Sequence, residues 1–259
     1  MEKLGAAERP HVNVTFDSNV WEPLVAEPSE YPAIRERILS GEISPYITEI
    51  SVSLESIQKS ARQRFFEAYS PSFTWSAESA SGDEIEGTFT LGPDTSSHPG
   101  LAPKLSEKLL RARELGFKVI RMTNIGTVRS PEIPKDMLLT VESYDAYWDY
   151  AERLSNCSEF ITNLGCGYHD YQIMKRTRQP GSPEKLAAAI AEWVDGDALA
   201  AHYAFGADVF CTNDRARNAG SKSIFYPDNL AKLKSQSAIV VLRPDELLQY
   251  LQSCMGRKG

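Results

Sequence analysis

Four acidic side chains carry the most chemistry in this sequence. Asp197 opens and Asp214 closes the mostly apolar stretch "DALAAHYAFGADVFCTND". Asp17 follows the β-rich run "HVNVTF" (11–16), and Glu49 lies within "SPYITEISVSLESI" (44–57). In an α/β fold, ligands gather at the carboxyl ends of the strands. Carboxylates brought together there, partly desolvated, repel one another strongly. Hard divalent cations offset that repulsion, and an all-oxygen ligand set favours Mg²⁺ or Mn²⁺ over zinc. A cluster of this type suits metal-assisted hydrolysis of a phosphodiester. One ion helps deprotonate a water, the metals together stabilise the attacking and leaving oxygens, and no protein nucleophile is required.

Simple lengths bring the acids together. A helix from 197 to 205 spans roughly 13 Å at about 1.5 Å per residue. A strand over 208–212 returns roughly 17 Å at about 3.3 Å per residue. The two run in opposite directions, so Asp197 and Asp214 are predicted to converge, beside Asp17 at the end of its own strand. Glu49 is placed in the first turn of a helix starting at the same edge; Glu42 and Glu55 are less well placed. Asp195 competes with Asp197 for the third position. Residues i and i+2 point to different faces of a helix, so only one of the pair reaches the centre easily.

The elements that must position these groups alternate. "HVNVTF" reads as a strand, "YPAIRERILSG" (31–41) as a helix, and the segment from Glu42 as a short strand running into a long helix with Pro45 in its first turn. Residues 70–100 are rich in Ser, Thr, Gly and Pro and read as an irregular insertion with a strand or hairpin at 85–91. A helix over 104–117 and the strand "KVIRM" follow. "VESYDAYWDYAERLSN" and "SPEKLAAAIAEWV" read as helices, the second capped by Ser182 with Pro183 at its first position. "SAIVVL" (237–242) and "PDELLQYLQS" close the chain as strand and helix. The pattern predicts an α/β fold, a three-layer α/β/α sandwich with a central, mostly parallel sheet.

At 259 residues the chain accommodates one domain carrying a large insertion. A net charge of −7 excludes a protein whose whole surface is a nucleic-acid footprint, but not acids around metal ions beside a local basic strip. No run of about 18 apolar residues occurs and the N-terminus has no apolar leader, so a cytoplasmic protein without membrane contact is expected. Cys157, Cys166, Cys211 and Cys254 show no metal or disulfide spacing and are expected as reduced thiols. His11, His98 and His169 have no partners at ligand spacing, and His202 reads as a packing residue. Arg215, Arg217 and Lys222 fall just beyond Asp214, where substrate phosphates would lie; a solvated loop explains them equally well. Tyr144, Tyr147, Trp148 and Tyr150 are more readily packing residues than base-stacking ones.

"VTFDSNVW" (14–21), "SPYITEISVSLESI" (44–57), "DALAAHYAFGADVFCTND" and "VVLRPDELLQYL" (240–251) together resemble the PIN-domain family, the metal-dependent ribonucleases that include many toxin subunits of toxin–antitoxin pairs. The resemblance implies that Asp17, Glu49, Asp197 and Asp214 form an acidic quartet holding Mg²⁺ or Mn²⁺. It further implies that Thr212 is the catalytic hydroxyl near the metal and that Asn19 braces the first turn. RNA is then the substrate, and a homodimer and an antitoxin-like inhibitor protein are further partners to consider. A single PIN-like domain over 1–259 would have its core at about 1–66, 104–122 and 183–259, with insertions at about 67–103 and 124–182 acting as lid, substrate selector or dimer surface. Two other functions compete: a catalytically inactive PIN-like module that binds RNA or protein, and a haloacid-dehalogenase-type phosphatase. The latter needs a second aspartate two residues after Asp17, where Asn19 stands.

Overall fold

The computed structural model describes residues 11–55, 57, 61, 65, 72–79, 85–92, 98–122, 128–139, 143–168, 183–217 and 219–256; the Ser182 cap and His169 lie outside them. Five strands, β1 (Val12–Phe16), β2 (Ile43–Thr48), β5 (Lys118–Ile120), β6 (Val209–Cys211) and β7 (Val241–Leu242), form one sheet in the order β5-β2-β1-β6-β7. Every neighbouring pair is parallel. The helices are α1 (Ser18–Leu24), α2 (Pro32–Leu39), α3 (Pro103–Glu114), α4 (Tyr144–Asn163), α5 (Pro183–Phe205), α6 (Pro227–Gln236) and α7 (Pro244–Gly256).

Alternation along the strands divides the interior into two cores. Val209 and Cys211 join the side chains of α1, α2, α3 and α7, whereas Phe210 joins those of α4, α5 and α6. Val119 and Ile120 part in the same way. A sheet buried on both faces needs apolar strands; Val209–Cys211 is apolar throughout, and Val12–Phe16 is apolar but for Asn13 and Thr15, the latter buried. The molecule is thus an α/β protein of three layers, as predicted. Among the described residues, no helix is long and apolar enough to cross a membrane.

Several elements differ from expectation. Pro45 lies inside β2, not in a helix. Its ladder partner is Val14 on β1, and β5 pairs only from Tyr46 onward, so the proline sits where β2 has a neighbour on one side only. The helix after β2 begins at Glu49 and passes into a π-turn at Ser51–Glu55. Helix α5 runs unbroken through Asp195-Gly196-Asp197, where two helices were expected. Gly196 permits close packing instead of ending the helix: a Cβ there would lie 2.3 Å from the Tyr168 ring. The insertion at 67–103 contains a full antiparallel hairpin, β3 (Ser72–Ser79) with β4 (Ile85–Gly92). Part of the second insertion is core: buried Tyr150, Leu154, Cys157 and Ile161 of α4 share one cluster with α5. The short helices α1 and α6 had no counterpart in the sequence reading.

Candidate functional site

β1 and β6 are parallel neighbours with Phe16 opposite Cys211, so the residues that follow, Asp17 and Thr212, emerge together at the carboxyl edge. The Asp17 amide donates to the Cys211 carbonyl at 2.9 Å. Its carboxylate then accepts four donors. Oδ1 takes the Ser18 amide at 2.7 Å and the Ser18 hydroxyl at 3.4 Å. Oδ2 takes Asn19 Nδ2 and Thr212 Oγ1, each at 2.6 Å. Burial raises the Asp17 pKa, the bonds from Thr212 and Ser18 oppose this, and the Asp214 charge adds to it.

Asn19 does brace this turn. Its amide nitrogen bonds Asp17 while its carbonyl oxygen accepts the Asn213 amide at 2.8 Å. Thr212 donates to Asp17 and accepts the Asp214 amide at 3.0 Å, so one hydroxyl ties both acids to the strand ends. Asp214 Oδ1 in turn accepts the Ala216 amide at 2.7 Å, closing a tight turn in which Ala216 has φ 55°.

The third group of acids comes from α5. Glu192 and Asp195, three residues apart, share a helix face. The Asp195 carboxyl is raised well above the ordinary aspartate value, first by loss of water and then by the charges of Asp17, Glu55, Glu192 and Asp214. Glu192 is pushed up to about 7 by burial; the Ile224 amide and Lys222 oppose this and Asp214 adds to it. Glu192 Oε2 is buried and accepts no hydrogen bond from the described residues.

Asp197 belongs to the other face of the helix. Tyr168 Oη donates to its Oδ1 at 2.7 Å and Trp193 Nε1 to its Oδ2 at 2.5 Å. The convergence with Asp214 predicted for Asp197 falls to Asp195, because α5 does not start at 197 but passes through it. Glu49 is likewise turned elsewhere. Its Oε2 accepts the Met122 amide at 2.8 Å and its Oε1 lies 3.6 Å from Arg129 Nε. Burial raises its pKa against the opposing charges of Arg129 and Arg121, and none of the clustered acids acts on it. Glu55, at the end of the π-turn, is the acid that β2's segment sends towards Asp195.

The structure therefore sets Asp17, Glu55, Glu192 and Asp214 within electrostatic reach of Asp195, while Asp197 is bonded to Tyr168 and Trp193 and Glu49 to the Met122 amide. Sequence reasoning passed over Glu192 altogether, although its spacing of i−3 from Asp195 on an apolar helix was a usable signal. Arg215 and Arg217 are exposed just past Asp214, and Lys222 acts electrostatically on Glu192. His202 is a core residue: its ring is buried, meets Thr15 Oγ1 at 2.9 Å and lies edge-on to Phe210. Its pKa is lowered to about 3 by burial.

As a donor set the cluster is entirely carboxylate, partly desolvated and self-repelling, and so suited to a hard divalent cation. Among the described residues, no three His, Cys, Asp or Glu side chains are gathered closely enough to hold a metal ion as they stand. No family model matches this chain, and neither the curated proteins nor the solved structures include a significant match to it.

Proposed function

We propose that this chain is a divalent-metal-dependent ribonuclease that hydrolyses RNA phosphodiester bonds, with Asp17, Glu55, Asp195 and Asp214 as the acids that hold Mg²⁺ or Mn²⁺. The observation that carries the reading is the meeting of Asp17 and Asp214 at the carboxyl edge of a parallel sheet, both tied to Thr212, with Glu55, Glu192 and Asp195 within electrostatic reach. Bringing like charges together costs stability, and a cation that binds there reverses the cost. When bound, the metal supplies a hydroxide nucleophile and charge neutralisation at the phosphate. The chain's part is to hold the acids. Thr212 and Asn19 fix the rotamer of Asp17, the tight turn to Ala216 fixes Asp214, and α5 presents Asp195 and Glu192 from one face. Glu192 replaces no member of the quartet; it borders Asp195 on one face of α5. The resemblance of the flanking motifs to PIN-domain ribonucleases supports the same activity and names RNA as the substrate.

The test is cleavage of a labelled single-stranded RNA by purified protein. Cleavage is expected with Mg²⁺ or Mn²⁺, none in chelator, and none from Asp195→Asn or Glu55→Gln. Cleavage that persists in chelator or in those variants overturns the reading.

A further inference from the structure

A cavity of about 560 Å³ opens between the end of β5, the first turns of α4 and the last turn of α5. It shares no residue with the acidic cluster. Its wall at Ala204 and Phe205 lies roughly 13–15 Å along α5 from Asp195, at about 1.5 Å per residue. In a chain of net charge −7, this wall inverts the balance. Three guanidinium groups, Arg121, Arg129 and Arg153, line it, and among the described lining residues the single acid is Asp149.

Each arginine is held differently. Arg129 is anchored from behind by Glu49 at 3.6 Å and donates to the Met122 carbonyl. Arg153 donates to the Tyr203 carbonyl at 2.7 Å and lies over that ring, 5.3 Å from its centroid. Arg121 fixes the cavity through its carbonyl, which accepts Tyr150 Oη at 2.6 Å. Neither Arg121 nor Arg153 has a carboxylate within ion-pair distance among the described residues.

The rim is aromatic and uncovered. Tyr147 lines the mouth at 38 % exposure, and Trp148 and Tyr144 beside it are 54 % and 74 % exposed. Their rings brace one another edge to face, with Trp148 5.6 Å from Tyr147 and 5.9 Å from Tyr144. Only Tyr150 of the four aromatics is a packing residue.

We infer that this cavity and its rim form a subsite for single-stranded RNA, a phosphate held by Arg121 and Arg153 and a base stacked on Tyr147 or Trp148. Guanidinium forks match phosphate oxygens, and flat rings accept any base face, so the pair of chemistries selects a nucleotide strand without selecting its sequence. The rings stand outside the cavity, so a ligand that uses both is longer than one nucleotide. Under the ribonuclease reading, on which the identity of the strand rests, this subsite holds the substrate at a distance from the bond being cut.

The experiment measures binding of a fluorescent oligouridylate of about eight nucleotides in chelator, so that no cleavage occurs. Arg121→Ala and Trp148→Ala should each weaken binding by about tenfold, as loss of one stack or one phosphate contact does, and should raise KM more than they lower kcat. Arg121→Lys should recover part of the loss. Unchanged binding in the alanine variants overturns the subsite while metal-dependent cleavage, if present, leaves the ribonuclease standing. Loss of binding in those variants without cleavage under any metal supports the subsite and sinks the ribonuclease. Complete displacement by equimolar uridine monophosphate overturns the strand in favour of a lone-nucleotide pocket.

Discussion

Asp195 and Asp197 stand two residues apart on one continuous helix and answer to different surroundings: Asp195 to the charges of four other acids, Asp197 to the donated hydrogens of Tyr168 and Trp193. One placement stores repulsion and the other satisfies buried donors. Substitutions at the two positions should therefore separate activity from stability.

Asp195→Asn should lower metal-dependent RNA cleavage by about 100-fold or more while leaving the urea midpoint unchanged or raised, since it removes a repelled charge. Asp197→Ala should do the reverse. It leaves the Tyr168 hydroxyl and the Trp193 indole N–H without their acceptor and should cost about 2–4 kcal/mol, with cleavage per folded molecule retained. Equal loss of activity in both variants would refute the assignment.

A parallel contrast holds for Glu55 and Glu49. Glu55→Gln should abolish cleavage with little change in unfolding. Glu49→Ala frees the Met122 amide and leaves Arg129 without its counter-charge, so the melting temperature should drop by several degrees, about 2–4 °C for each kcal/mol lost. Calorimetry of the two variants decides the matter.

Metal should stabilise the fold in a pH-dependent way. Asp17, Asp195 and Glu192 hold protons more tightly folded than unfolded. Between the unfolded and folded pKa values the native state binds more protons, so stability falls as pH rises through that window. For Glu192 the window runs from the ordinary 4.5 to about 7. A cation that neutralises the cluster is worth most above it. At 100 times its Kd, Mn²⁺ adds about 2.7 kcal/mol, so the melting temperature at pH 8 should rise by about 5–10 °C, and by clearly less at pH 5. An increment that does not vary with pH would count against carboxylate ligation.

His202 works in the opposite sense. Its pKa is about 3 folded against 6.5 for a free imidazole. Below 6.5 the unfolded chain takes a proton that the native chain refuses, so its contribution to stability falls as pH drops. At pH 5 that amounts to about 2 kcal/mol, at 1.36 kcal/mol per pH unit. Denaturant titrations of the parent and His202→Asn at pH 7 and pH 5 should show the parent losing more on acidification by about that amount. Nuclear magnetic resonance should find the imidazole neutral at pH 5.

Much of the fold was legible because its strands are short apolar runs and most of its helices have clear periodicity. β1, β6, α2, α3, α4 and α7 fall where the sequence puts them, and Asp17 and Asp214 sit at the predicted sheet edge. The misplacements have local causes. Pro45 is common at helix starts and so concealed a strand, and Gly196 between two aspartates resembles a break when it is a packing contact with Tyr168. Once α5 is split at that glycine, Asp197 becomes a helix start and captures the role that the intact helix gives to Asp195. Glu55 was passed over because a π-turn has no sequence signature, and helical counting from Glu49 assumes α geometry throughout.

That turn also gives the site a mechanical character. A π-turn winds its residues more widely than an α-helix, with bonds from i to i+5 in place of i to i+4. Were Ser51–Glu55 to rewind by one register, Glu55 would swing by about 100° and leave Asp195 behind. Two bonds to Ser53 work against this: His98 Nε2 donates to its carbonyl at 2.8 Å, and the Ser130 amide to its hydroxyl at 3.0 Å. The position of Glu55 in the cluster thus depends on two hydrogen bonds to Ser53, made by residues distant in the chain from every acid of the cluster.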